Sequence, residues 1–337
     1  MAENDASRRI GVFIVPPVAP HPGDLYRRIL TVARTVERSG FDSFWLAEGH
    51  FTHIGVSSSL SVLAAASQVT SRIALGTAVV PLAFDHPLRL AETAATVNTL
   101  SGGRLQLGVG KGNGHGFSAQ AYDAFRLDEN DRDAIYARAL DSLRGILVDG
   151  APVGDALVPV YPPTEDLRDR IWQATSSRTT AVAAAAAGDG LQLHRIAFGA
   201  DTGTAQRELV DAYLGAYAGD RPPRIAVSRG VFASSSRQSA LAEIQQRIDR
   251  PDLSGPLPLV QDGQDAAAYV AASNTHIGSA DDIVTSLLAD PTVQAAGEIL
   301  LAPVHGIDDS AFDGALSVLA DGVAAGLRSS SDRLVTR

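Results

Sequence analysis

Residues 73–116, IALGTAVVPLAFDHPLRLAETAATVNTLSGGRLQLGVGKGNGHG, read as strand, loop, helix, strand and glycine-rich loop. Ile73–Val80 is an apolar run that stops at Pro81, which has no N–H to give to a sheet ladder. In His86–Leu100, Leu90, Ala94 and Val97 recur at helical spacing. Ser101, Gly102 and Gly103 end that helix, because glycine accepts the left-handed turn past a helix C-terminus. Leu105–Val109 is the next strand, and glycine then stands at 108, 110, 112, 114 and 116. The stretch is a βαβ unit with its chemistry at the C-terminal ends of its strands.

The same period extends in both directions. Ile10–Val15 and Ser43–Ala47 are strands before it, each followed by a helix, Asp24–Ser39 and Ser58–Thr70. Helix Asn130–Leu147 follows the glycine loop, and residues 148–168, rich in Pro, Gly and Asp, read as a surface excursion. Strands Arg170–Thr175, Gly190–His194, Arg224–Phe232 and Glu298–Val304 complete the set, again alternating with helices. Eight such units without a composition shift predict an α/β fold, a (β/α)8 TIM barrel with insertions, in one domain over 1–337. The longest insertion follows strand seven. Within it, 251–277 carries Pro251, Pro256 and Pro258 and little apolar periodicity, which suits either a lid over the mouth or a packed surface extension.

Composition narrows the function. The chain has no cysteine, so disulfides, thiolate metal sites and thiol nucleophiles are excluded. A net charge of −10 argues against a nucleic-acid footprint. No run of apolar residues is long enough to span a membrane, and the N-terminus MAENDASRR has no signal-peptide core, so a cytoplasmic location is expected. The glycines after strand four fall on every second position, which breaks the G-x-G-x-x-G register of a dinucleotide site, and Lys111 lacks P-loop spacing.

Function in such a barrel sits where strands end. Glu48, His50 and His53 follow strand two; Gly110, Lys111, Gly112 and His115 follow strand four; Ser176, Ser177 and Thr180 follow strand five; His194 follows strand six. Hydroxyls and free N–H groups at a helix start, with Lys111 as counter-charge, suit a phosphate, although Ser176–Thr180 also reads as a plain N-cap. The spacing His50-x-x-His53 suits one helix face, and this segment follows a strand, so no metal is expected. His194 is either a satisfied core histidine or a site residue.

The segments GFDSFWLAEGHF (40–51), PLAFDHPLRLAE (81–92), LSGGRLQLGVGKG (100–112) and WQATSSRTT (172–180) together resemble the bacterial-luciferase-like flavin-dependent monooxygenases, over roughly Ile10 to Leu327. The resemblance implies that Lys111, in the place of an arginine, contacts a flavin phosphate with Ser176, Ser177 and Thr180. It implies that Ala78–Val79 is a non-proline cis peptide supporting the flavin ring, and that Gly110 lies near the reactive edge of that ring. The family's E-H-H-F reads Glu48-Gly49-His50-Phe51 here, so glycine replaces the first histidine and His50 matches the second. Gly49 is expected to leave a gap for water or a substrate group. His50 and His194 are the expected catalytic residues. The implied activity is FMN-dependent: reduced flavin arrives from a separate flavin reductase and activates O2 to oxidise a small organic substrate. A homodimer is expected. Flavin- or deazaflavin-dependent hydride transfer, and non-catalytic flavin binding, are the alternatives.

Overall fold

In the computed structural model, the described residues are 8–112, 117–197, 200–250, 257, 260–307 and 311–335. Eight parallel strands close a barrel: β1 (Arg9–Ile14), β2 (Ser43–Leu46), β3 (Ala74–Thr77), β4 (Leu105–Gly110), β5 (Ile171–Ala174), β6 (Gly190–Leu193), β7 (Ile225–Ala233) and β8 (Glu298–Pro303). Pairing runs in chain order and closes where Arg9 of β1 faces Glu298 of β8. Helices Pro22–Arg38, Ser59–Ser67, Pro87–Leu100, Arg132–Asp149, Arg178–Ala186 and Thr202–Ala216 cover it, and their apolar faces meet the outward side chains of the strands in one continuous core.

The barrel interior is filled differently. Trp45 of β2 and Trp172 of β5 meet edge to face with ring centroids 5.7 Å apart, and Ala226 and Leu300 pack against them. Glycine makes room for both indoles. A Cβ on Gly76 would lie 2.1 Å from the Trp45 ring, and one on Gly190 would lie 2.4 Å from the Trp172 ring. Each indole N–H has an acceptor: Trp45 donates to the buried Ser43 Oγ at 2.9 Å and Glu298 Oε1 at 3.2 Å, and Trp172 donates to the half-buried Gln106 Oε1 at 2.8 Å. The two indoles therefore plug the barrel interior below its C-terminal end.

Several expected elements are reshaped. The strand expected over 73–80 breaks at Ala78–Val79, whose peptide bond is cis, and resumes as Val80–Pro81 beside the end of β4. Phe117–Ala124 is an additional helix, and the excursion at 148–168 contains a small hairpin, Ala151–Val153 with Ala156–Val158. Of the expected lid over 251–277, residues 251–256, 258 and 259 lie outside the described residues. The rest includes packed structure. Helix Ala266–Ala272 buries Tyr269 against Phe232 and Ile244, and strand Thr275–Gly278 pairs with the outer half of β7. Four residues reading T-H-I-G are too few to show a period, so pairing rather than pattern defines that strand.

The turn into β3 is held from both sides. Gly102 and Gly103 adopt φ of +68° and +81°, ending helix Pro87–Leu100 and placing Arg104 so that it donates to the carbonyls of Ser67, Thr70, Ile73 and Ser101. Across the turn, Glu37 accepts from the N–H groups of Ser71, Arg72 and Ile73. Partial desolvation of Glu37 raises its pKa, but these donors outweigh it and bring the pKa down to about 2. Because the folded pKa lies below the unfolded one, this stabilisation is full above about pH 4.3 and disappears as pH falls toward 2. Glu37→Gln should therefore be less stable than wild type at pH 7, with the gap in urea midpoint narrowing between pH 4.5 and about 2. A pH-independent gap would show that the carboxylate charge is not what holds the turn.

Candidate active site

Strand alternation assigns the floor of the barrel mouth. Gly76, Trp45, Trp172 and Gly190 face inward, so two residues further on Ala78, Ala47, Ala174 and Gln192 do too, and Ala78 packs with the inner cluster. Gly110 closes the gap between β3 and β5: its missing Cβ would lie 2.7 Å from Val79 Cγ2 and 3.8 Å from Ala174 Cβ. The floor on the β2–β5 side is thus Ala47, Ala78, Gly110 and Ala174, all small, which leaves a shallow surface suited to a flat ring.

Lys111 and the loop Thr175–Ser177 follow the ends of two neighbouring strands, whose pairing runs as far as Val109 with Gln173. Ser176 is exposed, Ser177 half-buried and Thr180 buried. Ser177 is the N-cap of helix Arg178–Ala186 but makes no side-chain cap bond, and its own N–H donates to Thr175 Oγ1 at 2.9 Å. An ammonium, several hydroxyls and an open helix start form a donor set of the right kind for a phosphate. Lys111 is held from three directions. Nζ lies 2.9 Å from Asp133 Oδ1 and 5.8 Å from the centre of the Tyr136 ring, and its carbonyl accepts from Tyr122 Oη at 3.1 Å. Burial raises the Tyr136 pKa and keeps the hydroxyl protonated, and it donates to Gln173 Oε1 at 3.2 Å. Gln173 in turn donates to the fully buried Asp189, which is paired with Arg144 and Arg168.

On the other wall, Glu48 accepts from Ser59 N and Oγ at 2.8 and 2.6 Å and lies 3.4 Å from His50 Nε2. The His50 ring meets Phe84 and Phe125 edge-on at 5.6 and 5.5 Å, and these two rings stack at 4.8 Å. Burial, then the Glu48 charge, raise the pKa of Asp85, while His50 opposes them. His194 follows β6, four strands from β2 and so across the ring from His50. It is solvent-accessible in the mouth yet crowded by protein. That crowding, then Arg195 and Arg229, lower its pKa against the Ile196 backbone contact, so the ring is neutral at pH 7. Its Nδ1 lies 3.3 Å from the Ile196 main chain. His115 lies outside the described residues.

The gap expected at Gly49 is filled. A Cβ there would meet Ile54 Cδ1 at 3.1 Å and Thr52 Cγ2 at 3.2 Å, because the loop after β2 folds back and Gly49 N donates to Val56 O. That closes the direction a side chain at 49 would take, while the Gly49 backbone still borders a surface cavity with Val18, Tyr26 and Phe51. Sequence reading also missed Asp133, Tyr122, Tyr136, Phe84 and Phe125. The last lies just past helix Phe117–Ala124, whose two turns give little periodic signal, and Asp133 carries none, being merely one of several acids at a helix start. Gly49→His should destabilise the fold by about 1–3 kcal/mol through overpacking, and adding Ile54→Ala should recover part of that in urea unfolding. Equal stability of Gly49→His and wild type would mean the loop yields freely.

A family model described as luciferase-like monooxygenase matches residues 9–291. An uncharacterized protein, y4vJ, of Sinorhizobium fredii (strain NBRC 101917 / NGR234) is 27% identical over 287 residues, 79% of this chain and 81% of its own. Among solved structures, the oxygenating constituent of 3,6-diketocamphane monooxygenase from Pseudomonas putida, in complex with FMN, superposes with a TM-score of 0.74 at 17% identity. The match covers 95% of this chain and 98% of that one. An F420-dependent secondary alcohol dehydrogenase in complex with an F420–acetone adduct gives 0.67 at 16% identity, covering 95% and 99%. These two likenesses establish a shared fold.

Proposed function

The chain belongs to the luciferase-like monooxygenase family, and from that premise we propose that it takes reduced FMN at the barrel mouth and activates O2 to oxidise a small organic substrate. The observation that supports this reading is the pairing of β4 with β5 up to Val109 and Gln173, so that Lys111 and the Ser176–Ser177 loop follow neighbouring strand ends above a floor of small residues. In this reading Lys111, Ser176, Ser177 and Thr180 hold the phosphate, and Ala78, Val79 and Gly110 carry the ring. When bound, the reduced flavin supplies the electrons and the reactive centre for oxygen.

The protein's part is to bind, orient and keep water out. The indole plug closes the floor from below, and Phe84 and Phe125 give one wall an apolar surface. His50, oriented between that wall and Glu48, with Nε2 toward the carboxylate, hydrogen-bonds substrate or oxygen; neutral His194 assists from across the mouth. A separate reductase supplies reduced FMN, and the protein works as a cytoplasmic homodimer. Hydride transfer with a flavin or deazaflavin is the second reading, favoured by Gly49 in place of the first histidine; non-catalytic flavin binding is a third outcome.

Oxygen uptake by protein loaded with photoreduced FMN, measured against free reduced FMN with and without candidate substrates, tests the central claim. Uptake coupled to substrate oxidation supports it; substrate reduction without uptake supports hydride transfer; neither supports flavin carriage. His50→Ala should lower the coupled rate by about 10²–10⁴-fold with FMN affinity nearly unchanged. If it reacts as wild type does, His50 is only part of the wall. Lys111→Ala should weaken FMN much more than riboflavin in a fluorescence titration, and equal weakening would remove the phosphate assignment.

A further inference from the structure

Lys111 is already paired. Its ammonium lies 2.9 Å from Asp133 Oδ1, and the same carboxylate oxygen lies 3.9 Å from Arg132 Nε. Asp133 stands in the first turn of helix Arg132–Asp149, and its side chain is 72% exposed, whereas that of Lys111 is 20% exposed. The hydrogen bond from Lys111, followed by its charge and that of Arg132, holds the Asp133 pKa below its ordinary value against partial desolvation, so the carboxylate is ionised at neutral pH. Arg132 is a second cation at this corner, and Glu129, whose charge reaches Tyr122 as those of Arg132 and Asp133 do, is a second acid. A ligand phosphate reaching Lys111 from the Thr175–Ser177 side meets either a lysine bound elsewhere or a negative charge beside it.

We propose that Asp133 is a specificity-determining counter-ion. It occupies Lys111 when the site is empty, opposes any phosphate that binds there, and so limits how much the phosphate adds to cofactor affinity. This rests on the phosphate assignment above. The geometry favours exchange over a permanent bond. Asp133 is exposed and can swing into water at little cost, whereas Lys111 is anchored through its carbonyl to the buried Tyr122 and its ammonium lies 5.8 Å from the centre of the Tyr136 ring. An exposed pair of this kind has a strength that a doubly charged phosphate can overcome, yet large enough to shorten its stay. A protein that receives reduced cofactor from another enzyme and must release the oxidised form gains from such a weak latch. Asp133 is therefore a tuning residue that need not touch the reacting atoms.

Fluorescence titration of FMN and riboflavin against wild type, Asp133→Asn, Lys111→Ala and the double variant tests this. Asp133→Asn should tighten FMN by about two- to fivefold and leave riboflavin unchanged. The double variant should show no such tightening relative to Lys111→Ala, because the effect passes through the lysine. If Lys111→Ala weakens FMN selectively but Asp133→Asn leaves it unchanged or weakens it, the counter-ion role is wrong while the phosphate site stands; weakening would make Asp133 a positioning residue instead. If Lys111→Ala acts equally on both flavins, the phosphate site fails, and this inference with it. Tightening that persists in the double variant would assign the effect to general charge and overturn the exchange with Lys111.

Discussion

The edge-to-face contact of Trp45 with Trp172 inside the barrel sets the conditions for everything above it. Two indoles fit within an eight-stranded barrel only where the neighbouring strand carries no side chain beside each, and Gly76 and Gly190 stand at those paired positions. Their N–H groups need acceptors in a dry interior, and Ser43, Glu298 and Gln106 provide them. With the lower half closed in this way, the next inward residues of β2 to β5 can be alanine or glycine without leaving a hole through the molecule. The shallow floor of the mouth is a consequence of the bulk beneath it.

Polar contacts then stiffen one side of that mouth. Asp189 enters the barrel wall at the start of β6, fully buried, and is compensated by Arg144, Arg168 and Gln173. A buried carboxylate is tolerable only with such partners. The same network continues through Gln173 to Tyr136, whose ring lies under Lys111. Lys111 is thereby placed by three residues from two helices, while the histidine side of the mouth is placed by apolar packing against Phe84 and Phe125 and by Glu48, itself tied to Ser59. One wall is set by charge and the other by ring packing.

Local pattern carried the architecture. Leu90, Ala94 and Val97 mark a helix wherever they occur, Gly102 and Gly103 end it through their positive φ, and the run from Leu105 can only be a buried strand. The placement of Lys111 at the end of β4 and of Ser177 at the cap of the helix after β5 followed from the same reading, since both depend only on where an element stops. Short or irregular pieces were not legible. Thr275–Gly278 is a strand because β7 extends past the barrel and offers unpaired backbone to it. The break at Ala78–Val79 was anticipated through the motif it sits in and not through its composition, which reads as uninterrupted strand.

The sequence by itself determined the order of elements, the closed α/β barrel and the loops that form its mouth, because each depends on periodicity and on residues with restricted backbone freedom. The tertiary structure alone decided which side chains meet there. Ile54 fills the direction in which a side chain at 49 would point, Asp133 reaches back to Lys111 across more than twenty residues, and Phe84 and Phe125 stack from different connections. Such contacts depend on the shear and closure of the barrel, which bring together positions whose separation along the chain has no fixed relation to their distance in space.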